Sequence, residues 1–189
     1  MPIMKDYISD EYSKWKKDFR TNSQTKSTNR NVKDLYDIIL KDEMRDSDYW
    51  FFVGAEHFLA FLEQFDNSDF EELVADIPNW TEDQQYILNE CLKARSFNND
   101  NFRQTKAFEY QSYLLPILFS ITNDDQIKND IFEHAELIEA GTPKDCKLLI
   151  EMKTWADRQL VLFQSGQNGY KPADIHHNFL KLAMDKACR

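Results

Sequence analysis

From Val32 onward, apolar residues recur at the spacing of a buried helix face. Leu35, Ile38 and Ile39 form one such stripe, three and four residues apart. Asp46 or Ser47 is placed to cap a second helix running to about Gln64. Its Tyr49, Trp50, Phe51, Phe52, Val53, Phe58, Leu59, Phe61 and Leu62 are apolar around most of the circumference, which places that helix in the middle of a fold. Ser68 starts a short helix with Phe70, Leu73, Val74 and Ile77 at i, i+3, i+4, i+7, and Pro78 ends it. Thr81 and Gln84 have capping-box spacing ahead of Ile87, Leu88, Cys91 and Leu92.

The pattern continues to the end of the sequence. Residues 103–121 read as another central helix, Phe108 through Ile121, kinked at Pro116. Asn123 caps a helix carrying Ile127, Ile131, Ala135 and Ile138, which Gly141 closes. Thr142, Pro143 and Asp145 mark the start of another, from Lys144 to about Phe163, and a last helix spans roughly 173–187. Upstream, Tyr7, Ile8, Tyr12, Trp15 and Phe19 suit a helix over 5–19, and the polar run Thr21 to Asn31 reads as a linker. The expectation is an all-α fold of eight or nine antiparallel helices, with 1–31 as N-terminal helix and linker and 32–189 as one helical domain. No signature recurs at a fixed period, so a degenerate helical-repeat-like array and an irregular bundle both remain open.

Composition agrees with helices. Gly and Pro total only nine, too few for the turns of an all-β fold, and 42% apolar content over 189 residues is enough for one sizeable core. Cys91, Cys146 and Cys188 are far apart and odd in number, which suggests neither a disulfide framework nor a thiolate zinc site and fits a reducing cytosol. No signal peptide or membrane span is visible. A cytoplasmic protein is therefore expected.

Charge changes the picture more. Between Arg45 and Lys93 there is no Lys or Arg, yet there are twelve acids. The net charge is −10, so the remainder of the chain is slightly positive. A local field of one sign suits a basic partner and would repel the phosphates of nucleic acid. In the helix after Ser68, Asp69, Glu72 and Asp76 fall within about 60° of one another, opposite the apolar stripe. In the next helix Glu82, Asp83, Tyr86 and Glu90 gather away from the apolar face. A charge run can also be only a solvated face. Ordinary solvated helices, however, mix Lys with Glu for their i,i+4 pairs. The candidate partner-binding residues are therefore Asp69, Glu72, Asp76, Glu82, Asp83, Tyr86 and Glu90, with Tyr86 as aromatic anchor.

Enzymatic signatures are missing from the sequence. No Glu-x-x-His pair occurs, and adjacent His176 and His177 point apart on a helix. His57 and His134 read as structural or surface residues. There is no Gly-x-Ser-x-Gly elbow or glycine-rich phosphate loop, and Cys91 faces inward. No catalytic residue, metal ligand or cofactor is assigned.

The run from Asp48 to Phe61 (DYWFFVGAEHFLAF), followed by the capped helix from Thr81, resembles the helical immunity proteins of bacterial polymorphic-toxin and contact-dependent inhibition systems. The resemblance covers about residues 32–163 and is one of style, without a diagnostic motif. It implies a non-enzymatic protein that binds and neutralises a cognate basic toxin without any cofactor. An intracellular helical scaffold for another basic protein is the alternative, and a metal-dependent enzyme a distant third.

Overall fold

A computed structural model describes residues 24–43, 45–94, 101–141, 143–167, 169–171 and 173–189. The expected helix over 5–19 lies outside them. The described residues form nine helices and no strand: α1 (Arg30–Asp42), α2 (47–62), α3 (Asn67–Asp76), α4 (Glu82–Lys93), α5 (Lys106–Ile121), α6 (Asp125–Glu133), α7 (Ala135–Ala140), α8 (Cys146–Gln164) and α9 (Asp174–Ala187). The all-α expectation holds.

Local chemistry sets most helix starts. Asn29 caps α1 by accepting from the amides of Asn31 and Val32. Thr81 and Gln84 form the expected capping box of α4. At α3 the box is made by Asp66 and Asp69, and Ser68 lies inside the helix. Asp124 caps α6 in place of Asn123, and Asp145 caps α8.

Three departures from the sequence pattern have physical causes. The expected single helix from Asn123 to Ile138 breaks at His134. The Asp130 carbonyl, which the His134 amide would take in a continuous helix, is bonded instead to the His134 ring Nδ1 at 2.8 Å, and the amide turns to Ile131. In α2, Trp50–Gly54 is a π-helical turn. Its extra residue shifts the register, and Phe52 and Val53 face outward at 56% and 46% exposure. The third concerns the middle of the fold, which the sequence pattern assigns to both α2 and α5 but which α5 dominates: α5 packs on α2, α3, α4, α6, α7 and α8. In a repeat array each unit touches only its neighbours, so these helices form an irregular bundle around α5.

One continuous core results, with Tyr36, Trp50, Phe58, Phe65, Phe119 and Phe132 among its largest fully buried side chains. Outside it, Cys146 and Cys188 form a disulfide that ties the start of α8 to the end of α9. The expectation of no disulfide, which rested on odd number and wide spacing, is thereby corrected; only Cys91 remains a free thiol, and it is buried.

Candidate functional site

The acid-rich window divides into two populations. Nine of its twelve carboxylates stay at or near the surface, and eight of these are exposed: Asp46, Asp48, Glu63, Asp66, Glu71, Glu72, Glu82 and Asp83. Asp69, Asp76 and Glu90, all expected on the outer face, are buried at 8%, 3% and 3% exposure. They leave the candidate surface, and each has a structural partner.

Asp69 and Asp76 hold the segment 24–31 against α3. The Asp76 carboxylate accepts from the Thr25 hydroxyl at 2.6 Å, the Lys26 amide at 2.8 Å and the Ser27 amide at 3.1 Å. Asp69 accepts from the side-chain amides of Asn29 and Asn31 at 2.7 and 2.8 Å. The strap reaches α4 through Gln24, whose amide donates to the Tyr36 hydroxyl at 2.8 Å; that hydroxyl donates on to Gln84. The polar run expected to be a linker is thus, over its described part, packed against the helices. Burial alone would raise the pKa of both aspartates, but the hydrogen bonds more than offset it and hold both below the usual value.

Glu90 belongs to a second, partly buried network, between α4 and α6. Lys93 Nζ lies 2.6 Å from Glu90 Oε1 and 2.5 Å from Asp130 Oδ2. Asn89 donates to the same Asp130 oxygen. Burial would lower the Lys93 pKa, but its bonds to the two carboxylates prevail and raise it. Tyr86, 36% exposed, reaches this network through Glu90, and burial together with the Glu90 charge raises its pKa. Sequence reasoning missed Lys93 and Asn89 as partners, although Lys93 at i+3 from Glu90 was a local signal. Asp130 is forty residues on from Glu90 and had none.

What remains of the sequence-derived surface is Glu72, Glu82, Asp83 and the edge of Tyr86. Glu82 and Asp83 occupy the first turn of α4, where the helix dipole favours negative charge. Glu72 lies on α3, and the strap's Ser27 hydroxyl donates to it at 3.3 Å. Both helices pack on α1. Among the described residues none of the eight exposed acids is in an ion pair. Glu43, at the end of α1, extends the group toward α4: burial, then the Asp83 charge, push its pKa from 4.5 to about 7.

Among the described residues no group of three or more His, Cys, Asp or Glu is arranged to hold a metal ion, and no helix is long and apolar enough to cross a membrane. No family model matches the chain, and neither the curated proteins nor the solved structures compared with it give a match.

Proposed function

We propose that the protein is a binding protein whose exposed acids receive a basic protein partner, and that the partner is a toxin domain which the complex neutralises. One observation carries the reading: eight exposed carboxylates in a stretch of 47 residues without a Lys or Arg, outside any ion pair among the described residues. Such a surface costs self-repulsion in the free protein and is relieved by a positive partner. Electrostatic attraction would steer association, and the complex would block the toxin by covering its active site or lying beside it. The resemblance to immunity proteins supplies the toxin.

The disulfide bears on where this happens. Persistent disulfides belong to oxidising compartments, so the Cys146–Cys188 bond supports binding outside a reducing cytoplasm, contrary to what the cysteine spacing suggested.

The test is co-purification from the native source, followed by association kinetics with the identified partner. Reversal of Glu72, Glu82 and Asp83 to Lys should slow association strongly at low salt, with the difference shrinking as salt is added. Equal rates at every ionic strength would reduce the window to a solvated face. A basic partner that is no toxin would make the protein an adaptor.

A further inference from the structure

The Cys146–Cys188 bond joins two unlike helix ends. Cys146 is the first residue of α8, a helix of 19 residues, and Lys144 and Lys147 lie on either side of it in the chain. Cys188 sits at the other kind of end, where its amide donates to the Met184 carbonyl at 2.9 Å and closes α9. A helix N-terminus and nearby lysines favour a thiolate, whereas a C-terminus opposes one. The Asp145 carboxylate, the nearest opposing charge in the chain, is taken up by the amides of Lys147 and Leu148. In thiol–disulfide exchange the sulfur that better holds a negative charge leaves faster, and here that sulfur belongs to Cys146.

Access points the same way. Cys188 is exposed and Cys146 half-buried. An open groove of about 370 Å³ runs along the last turn of α9, lined by Met184, Asp185, Cys188 and Arg189 and not by Cys146. An incoming thiol therefore has room at Cys188.

What the bond holds is a lightly anchored helix. Of the 14 residues of α9 only Leu180 and Ala183 are buried, and its first turn has no side-chain cap. The rings of His176 and His177 pack on Phe132 of α6, yet His176 Nδ1 and His177 Nε2 are buried without a hydrogen-bond partner, which costs the docked state. Beside the disulfide, Lys186 bridges to Glu139 of α7 at 2.8 Å, but so exposed a pair adds little.

We propose that Cys146–Cys188 is an exchangeable bond that latches α9, and that a small thiol opens it by attaching to Cys188. The incoming thiolate attacks the Cys188 sulfur. The bond between the two cysteines breaks, its electron pair stays on Cys146, and a new disulfide joins the small molecule to Cys188. The incoming sulfur is oxidised and the Cys146 sulfur reduced, so no further reagent is consumed. With the latch open, α9 detaches locally from α7 and α8. The inference is independent of the acidic surface and of the toxin.

The test treats the full-length oxidised protein with reduced glutathione, quenches with acid, blocks free thiols with N-ethylmaleimide and maps the peptides by mass spectrometry. The early product should carry glutathione on Cys188 and maleimide on Cys146, in several-fold excess over the reverse isomer. Equal labelling, or glutathione mainly on Cys146, would overturn the assignment of the two sulfurs. A bond that reacts only in denaturant would overturn the latch. Hydrogen exchange then reads the release of α9. Opening the bond lowers protection in every helix, because the unfolded chain gains freedom. The α9 amides should lose at least about tenfold more protection than those of α5, as expected for local opening. Cys146→Ala should give the same pattern without any thiol. A uniform loss across the helices, in the reduced protein and the variant alike, would make the bond a plain constraint on the unfolded chain and refute the release.

Discussion

The indole nitrogen of Trp80 donates to the Asp76 carboxylate at 2.9 Å, so the carboxylate that fastens the 24–31 strap is itself fixed by a buried ring at the end of α3. Asp76 therefore joins core, helix end and strap. Replacing it with Ala would leave the Trp80 indole and the Lys26 and Ser27 amides without their acceptor. The expected loss is about 2–4 kcal/mol, since hydrogen bonds to a charged group are worth more than neutral ones. The pH dependence follows from the depressed pKa of Asp76. Its stabilisation is present above the ordinary carboxylate range and is lost as pH falls through the lower native value. The protection factors of the Lys26 and Ser27 amides should fall in acid before those of the core amides do; simultaneous loss of protection would contradict this.

Cys146 and Cys188 close a loop across a sequence separation of 42. Constraint of the unfolded chain by a loop of that length is worth roughly 2–4 kcal/mol. Cys188→Ser should lower the guanidinium midpoint accordingly. Burial, then the nearby Glu90 charge, push the Cys91 thiol well above its ordinary pKa, so the native oxidised protein should react slowly with thiol reagents and expose one thiol on unfolding. Three titratable thiols in protein isolated without reductant would refute the disulfide and restore the cytoplasmic expectation.

Glu43 offers a stabilising substitution. Its native pKa of about 7 is above the ordinary 4.5, through burial first and the Asp83 charge second. A raised acid contributes its stability below the unfolded pKa and loses it as pH rises through the native value. Glu43→Gln should therefore raise the urea midpoint relative to wild type at pH 8, with the advantage shrinking toward pH 4.5. Solvent screening at this half-buried site keeps the effect well below that of a fully buried carboxylate. Identical midpoints at pH 5 and pH 8 for both proteins would exclude it.

Gly54 sits beneath the Trp50 ring, and a Cβ there would overlap the ring. Helix propensity favours Ala over Gly by about 1 kcal/mol, whereas overpacking a buried site costs about 1–3 kcal/mol. Overlap should win, because Trp50 is fully enclosed and its neighbours cannot yield cheaply. Gly54→Ala is expected to lower the melting temperature and alter tryptophan fluorescence; a more stable variant would show that the ring relocates freely.

Reading along the chain, helical spacing found the helices between Val32 and Ala187, and hydroxyl–amide spacing found the Thr81–Gln84 box. Both depend on contacts within one or two turns, which sequence distance measures directly. Phase analysis also pointed Cys91 inward, where it is fully buried. The same analysis sent Asp69, Asp76 and Glu90 outward, because polarity is its only criterion for an exposed face. Their donors are invisible to helical phase: Thr25 is 51 residues from Asp76, Asn29 is 40 from Asp69, and Asp130 joins Glu90 only through Lys93.

The sequence by itself determined an all-α chain and a window of acids without a compensating base. Tertiary structure alone decided which acids remain for a partner and that Cys146 meets Cys188. The physical reason is range. Backbone hydrogen bonding and side-chain phase act over a few residues, whereas burial of a charge and a disulfide each depend on segments that meet only when the core closes.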